Sequence, residues 1–280
     1  MQPKYIDIHC HTNFKVFSED YDEIIKRALQ NNTWLINVGT QLDTSKSAVK
    51  IAHEYPEGVF SAIGLHPIHT GKSYHDEEEL GEGGDEFTSR GEIFNKAAYL
   101  ELAKDSKTVA IGECGLDYFR AEPESIEKQK RAFIAQVELA NEVGKPLMLH
   151  IRNNKENDRH DAYFDCLEIL KKHSKVKGVV HFFAGNRKHA EAFIDFGFLL
   201  SFTGVLTFTH DYDEVVRNTP LDMILNDTDS PYVSPVPFRG KRNEPTYVSE
   251  ITKKIAEIKG ISETEASDAI LANAKRIFGV

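Results

Sequence analysis

The chain has 280 residues, longer than the roughly 150 usual for one domain but suited to a single α/β barrel, which takes about 250. A content of 40% hydrophobic and 28% charged residues allows a large buried core and excludes the disordered, collagen-like and coiled-coil classes. The 34 Lys and Arg against 44 Asp and Glu give a net charge of −10, which argues against coating nucleic acid by electrostatics but not against an enzyme with a local metal-lined site.

The start, Met1-Gln2-Pro3-Lys4, leads into a short mixed segment rather than a signal-peptide core, and no apolar run nears the roughly 18 residues of a membrane helix. The expected address is cytoplasmic. Short β-branched runs then alternate with amphipathic stretches to the end of the chain. Strands are predicted near 5–9, 34–39, 59–66, 109–113, 146–150, 179–182, 198–201 and 223–229. Eight such units point to a TIM-type (β/α)8 barrel over 1–280 as one domain, although periodicity alone does not exclude an open doubly wound sheet.

After the third strand, Asp76–Glu92 holds eight acidic residues, one basic residue and four glycines, a mixture that cannot bury apolar surface and reads as a solvated loop. Its net charge of −7 leaves only −3 to the rest of the chain, so most of the acidity is local. Between the fourth and fifth strands, Pro123 suits a first helical position. Ile126, Phe133, Ile134, Val137 and Ala140 then share a face, and Gly144 supplies a stop. Near the end, Val248, Ile251, Ile255 and Ile258 repeat at helical spacing before Gly260. Ser262 with Glu265 opens a last helix carrying Ile270, Ala274, Ile277 and Phe278.

The chemistry gathers at strand ends. His9 and His11, two apart in an extended segment, face the same way and could share a metal. Glu113, His150, His181 and Asp229 end the fourth, fifth, sixth and eighth strands, which places all six on the C-terminal rim where barrel active sites are built. Four imidazoles and two carboxylates suffice for two metal ions sharing one carboxylate. Such a nitrogen and oxygen set suits Zn, Mn, Fe or Co better than an all-oxygen Mg site. Three cysteines without a C-x-x-C pattern give neither a disulfide framework nor a thiolate site, and alternation turns Cys10 and Cys114 into the wall as packing residues.

Taken in order, His9-x-His11, Gly64-Leu65-His66-Pro67, Gly112-Glu113-Cys114-Gly115-Leu116-Asp117-Tyr118, His150-x-Arg152, His181-Phe182-Phe183-Ala184-Gly185, Ser201-Phe202-Thr203-Gly204, Thr228-Asp229-Ser230-Pro231-Tyr232 and Arg239-Gly240-Lys241-Arg242-Asn243-Glu244-Pro245 resemble the TatD-like metal-dependent hydrolases of the amidohydrolase superfamily. The resemblance runs nearly end to end. It implies a distorted TIM barrel, two divalent ions (Mg, Mn or Zn), and phosphodiester hydrolysis with DNA as substrate, often as a 3′ to 5′ exonuclease on single strands. It further implies that His9, His11 and Asp229 hold one ion, that His150 and His181 hold the other, and that Glu113 bridges them. Two departures are Phe238, where members often carry His, and Phe182, where they often carry Cys or Ser.

On this reading Asp229 and Glu113 are the catalytic pair, with Asp229 orienting a metal-activated water and passing its proton to the leaving oxygen. His66 and Arg152 are candidate phosphate contacts, against the alternatives that His66 caps a barrel layer and Arg152 neutralises rim carboxylates such as Asp117. Arg239, Lys241 and Arg242 form a basic loop cluster suited to a substrate backbone, or equally to pairing with Glu244 or a neighbouring helix. Tyr118, Tyr232, Phe119 and Phe202 could stack on bases or be core. His53, His75, His160, His173, His189 and His210 are expected at the surface. Two further readings remain open at this point: hydrolysis of an amide, ester or lactone by the same ions, and a non-catalytic binding protein on a degenerate barrel.

Overall fold

The computed structural model describes residues 3–72, 74–75, 87–88, 91–119, 121–154 and 160–280. Eight parallel strands follow one another round a nearly closed barrel: β1 (Tyr5–Cys10), β2 (Thr33–Val38), β3 (Val59–Ile63), β4 (Thr108–Asp117), β5 (Leu147–Arg152), β6 (Gly178–Val180), β7 (Leu199–Phe202) and β8 (Ile224–Asn226). Among the described residues, closure rests on one bridge, Cys10 to Ser230. There the Asp229 N–H donates to His9 O at 3.0 Å and the His11 N–H to Ser230 O at 2.8 Å. The barrel therefore closes through the backbone of three of the expected ligands.

Helices pack outside the barrel, among them α1 (Tyr21–Gln30), α2 (Leu42–His53), α3 (Lys96–Ala103), α4 (Pro123–Val143), α5 (Ala162–His173), α6 (Arg187–Asp195), α7 (Asp213–Asn218), α8 (Val248–Lys259) and α9 (Glu263–Phe278). Pro123 opens α4, and Gly144 ends it in the left-handed region at φ +67°, as the sequence predicts. Gly260 ends α8 likewise at φ +69°, and the Ser262 side chain accepts the Glu265 N–H at the start of α9. Ile126, Phe133, Val137 and Ala140 of α4 are buried against the barrel, together with Leu147, Leu149 and Leu116. Cys10, Cys114 and Cys166 are buried packing residues. Among the described residues no helix is long and apolar enough to cross a membrane.

Strand ends differ from the sequence reading for local reasons. The third strand stops at Ile63, not His66, because Gln136 of α4 takes over the backbone of Leu65, accepting its N–H at 2.7 Å and donating to its C=O at 3.0 Å. The fourth continues past Glu113 to Asp117 through a bulge, four residues on β4 (Ile111 to Cys114) running against three on β5 (Leu147 to Leu149). The last is cut to Asn226 because the Thr228 N–H turns to Asp7 Oδ1 at 2.9 Å. Most of the acidic segment 76–92 lies outside the described residues. Its end is anchored: Glu92 accepts the Tyr99 hydroxyl at 2.7 Å and the Leu42 N–H at 3.2 Å.

Candidate metal centre

The six rim residues converge. His9 and His11 bring their Nε2 atoms within 3.1 Å of each other, and Asp229 Oδ1 lies 3.4 Å from His11 Nε2 and 3.7 Å from His9 Nε2. Glu113 sits between the two groups. Its Oε2 lies 3.4 Å from His9 Nε2, while Oε1 is 2.8 Å from His181 Nε2, 3.0 Å from His150 Nδ1 and 3.3 Å from His66 Nε2. Three ligand-sized sets result: His9, His11 and Asp229; His9, Glu113 and His181; His66, Glu113 and His150. The grouping differs from the one the resemblance implies in two respects, since His181 also stacks on His9 at 3.7 Å and His66 joins His150.

Backbone geometry aims these side chains. Asp229 is held at φ +51° and Phe182, directly after His181, at φ +43°. Left-handed conformations of this kind cost about 1–3 kcal/mol for a non-glycine residue and persist where the surroundings enforce them. Asp7 supplies part of that enforcement beneath Asp229, accepting the Thr228 N–H and its hydroxyl at 2.9 and 2.5 Å. Burial pushes the Asp7 carboxyl well above its usual range.

Proton placement tests whether a cation fits. His11 Nδ1 lies 3.0 Å from the Val38 carbonyl and His9 Nδ1 3.1 Å from the Met148 sulfur, both acceptors, so each imidazole carries its proton on Nδ1. Two Nε2 lone pairs then face each other beside two carboxylates. That arrangement suits a shared cation and is otherwise repulsive. Burial, with His181 alongside, depresses His9 to about 4, which keeps it in the neutral ligating form. His150 donates from Nε2 to Asp117 Oδ2 at 2.7 Å and so also turns Nδ1 to Glu113. This carboxylate–histidine pairing is the usual support of a metal-bound imidazole.

In the metal-free protein, burial alone would depress His150, but Asp117 and Glu113 outweigh it and raise the group to about 9. The sign follows directly: below about pH 9 the ring holds a proton that an incoming cation must expel. Titration calorimetry with Zn or Mn in buffers of different ionisation enthalpy should therefore register proton release near neutral pH, falling as the pH passes about 9. Release that stays constant across that range would show that His150 is not a ligand.

The centre opens into a cavity of about 460 Å³. Arg152 lines it with its guanidinium 3.8 Å over the Phe119 ring, and Phe14, stacked on His11, lines it too, as do Tyr232, Phe182 and Asn153. Arg152 also stands beside Asp117, which burial would raise but His150 and Arg152 hold below the usual carboxylate range.

Other expected contacts are not brought here. Tyr118 is buried outside the cavity and donates its hydroxyl to Asp165 at 2.8 Å, because it follows Asp117, which faces the cavity, and alternation turns it into the wall; Phe202 is core. Arg242 donates to Val16 O at 2.7 Å and pairs with Asp20, Arg239 donates to Ser234 O at 2.9 Å and lies over Phe208, and Lys241 lies over Phe238. None of the three lines the cavity. Glu244, offered as their partner, binds Arg27 of α1 instead at 2.9 Å. His189 is not a surface residue: it stacks on Tyr163 at 4.6 Å and meets Asp161 at 2.8 Å. The side chain of His75 lies outside the described residues.

Several residues escaped the sequence reading. His69, buried and lining the cavity, follows His66 by one 3-10 turn. Gln129 and Gln136 interrupt the apolar face of α4 at a spacing of seven. Gln129 brackets the backbone of Asp117, with its N–H and C=O each at 2.8 Å, as Gln136 does that of Leu65. Two polar residues two turns apart on an otherwise buried face were the available signal.

A family model described as TatD related DNase matches residues 6–279. The chain is 35% identical over 280 residues to the uncharacterized metal-dependent hydrolase YabD of Bacillus subtilis, covering 98% of both. It is 31% identical over 283 residues to the 3′-5′ ssDNA/RNA exonuclease TatD of Escherichia fergusonii, again covering 98% of both. Among solved structures, the TatD homolog YJJV from Escherichia coli K12 superposes with a TM-score of 0.80 at 25% identity over the whole of both chains.

Proposed function

The chain belongs to the TatD-related DNase family of metal-dependent hydrolases, and from that premise we propose that it cleaves phosphodiester bonds of single-stranded DNA from the 3′ end. The observation that carries this reading is the convergence of four inward-turned imidazoles on Glu113 and Asp229 at the floor of one cavity. His9, His11 and Asp229 would hold one divalent ion, His150 and His181 the other, with Glu113 shared. Such ions, when bound, lower the pKa of water to about 7 and offset phosphate charge.

The protein's own groups do the rest. Asp229, fixed beside His11, orients the attacking water and takes its proton. Arg152, held flat by Phe119, binds a non-bridging phosphate oxygen, and Phe14 and Tyr232 offer ring faces to a base at about 1–3 kcal/mol per stack. Hydrolysis of an amide, ester or lactone would draw on the same water. A cationic side chain among ring faces favours a phosphate ester flanked by planar bases. A degenerate binding platform would not keep a complete donor set.

End-labelled single- and double-stranded DNA, incubated with protein loaded with Mg, Mn or Zn after chelation, tests the proposal. We expect a ladder shortening from the 3′ end on single strands, reduced about 10²–10⁴-fold by Asp229→Ala. Intact DNA under every metal, alongside turnover of aryl esters or lactones, would transfer the chain to the carbonyl reading.

A further inference from the structure

His66 stands apart from His9, His11 and His150 in where its proton lies. It follows β3, faces Glu113 Oε1 at 3.3 Å through Nε2, and shares a ligand-sized cluster with Glu113 and His150. Spacing alone would make it another metal ligand. Its other nitrogen decides against that. Nδ1 accepts the Ile68 N–H at 3.2 Å, capping the turn Pro67–Thr70. A backbone N–H only donates, so Nδ1 keeps its lone pair and the neutral ring carries its one proton on Nε2. Ligation through Nε2 would require an imidazolate. His9, His11 and His150 show the opposite arrangement, with their outer nitrogens against Met148 sulfur, Val38 O and Asp117.

We propose that His66 is a catalytic hydrogen-bond donor and not a metal ligand, its Nε2–H stabilising the negative charge that develops on the leaving oxygen. The proposal rests on the phosphodiester reading above. Glu113 divides the site: Oε2 faces His9 and His11, which in turn face Asp229, whereas Oε1 faces His66, His150 and His181. In-line displacement places attacking and leaving oxygens on opposite sides of phosphorus. With Asp229 on the water's side, the leaving oxygen falls on the side of His66. As the bond from the water oxygen to phosphorus forms, the water's proton passes to Asp229, and the bond to the leaving oxygen breaks with its electron pair. His66 donates a hydrogen bond without giving up its proton. The released alkoxide is protonated by solvent, and Asp229 returns its proton there. A neutral imidazole polarising an oxygen in this way has precedent in triosephosphate isomerase.

Three measurements test this. Ring 15N–1H correlation spectra of the metal-free wild-type protein, with His66→Gln identifying the signals, should show the Nε2–H tautomer; the Nδ1–H tautomer would overturn the proposal. Ion content by plasma mass spectrometry should be the same in wild type, His66→Gln and His66→Ala, and loss of one ion per chain would make His66 a ligand after all. The third compares a DNA dinucleotide with the 4-nitrophenyl ester of thymidine phosphate, whose leaving oxygen needs little stabilisation. His66→Ala should lower kcat on the dinucleotide by about 10²–10³-fold and on the nitrophenyl ester by less than about tenfold, with KM unchanged and partial rescue by His66→Gln. Equal losses on both esters sink the donor role alone. A wild-type protein that cleaves neither ester removes the phosphodiester reading, and the donor role falls with it.

Discussion

A Glu113→Gln variant is expected to bind fewer ions per chain than wild type and to lose at least about 10³-fold in kcat, the scale set by removing a group that stabilises transition-state charge. The amide keeps the shape of the carboxylate but not its charge. In the metal-free protein that charge faces His9, His66, His150 and His181, and those imidazoles hold the Glu113 carboxyl well below its usual range against the opposing effect of burial. Without it, His150 should titrate below its present value of about 9, so the proton expelled on loading near neutral pH should also diminish. Asp229→Ala gives the contrast, since it leaves the shared position intact and should cost rate more than ions. Plasma mass spectrometry with kcat and KM on one DNA substrate separates the two. A Glu113→Gln protein with a full complement of ions and near wild-type turnover would remove Glu113 from the shared position.

Gly115→Ala should produce a large loss of stability and should disturb the metal centre from behind. Gly115 pairs with His150 across β4 and β5, and a Cβ placed on it would meet the His150 carbonyl oxygen at 2.1 Å. Its φ of +142° is also a conformation that side-chain-bearing residues rarely adopt. The obstructing atom is backbone, so β5 itself must shift. Overpacking and dihedral strain together cost roughly 3 kcal/mol or more, a fall in Tm of about 5 °C or more for a chain of this size. His150 rides on the displaced segment, so Zn or Mn affinity should weaken along with Tm. Thermal unfolding by circular dichroism and an ion titration on the same sample check both effects. An unchanged Tm would mean that the two strands do not approach this closely in solution.

Periodicity made much of this architecture readable. Eight runs of β-branched residues each became a strand in chain order, and α4, α8 and α9 start or stop at the proline, serine and glycines that mark them. The ligand candidates were legible for a related reason. A polar residue capable of binding metal is conspicuous after an apolar run, as His9, Glu113 and His150 are.

The basic loop was misleading because a run of Arg and Lys does not record what lies opposite. Arg242 finds Asp20 and Val16 O, residues more than 220 positions away along the chain. For Tyr118 the residue type left stacking and core both open, and the structure chose core: Asp117 faces the cavity, so the next side chain turns into the wall.

The sequence by itself determined the α/β class, the succession of strands along the chain and the six candidate ligands, because these depend on local hydrophobic period and on residue type. Only the tertiary structure decided which nitrogen of each imidazole faces inward. That choice is made by distant acceptors and donors, Val38 O for His11, Met148 for His9, Asp117 for His150 and the Ile68 N–H for His66. A ring with two nitrogens is a ligand or a donor according to the partner of its far side, and that partner is supplied by the packing of the barrel.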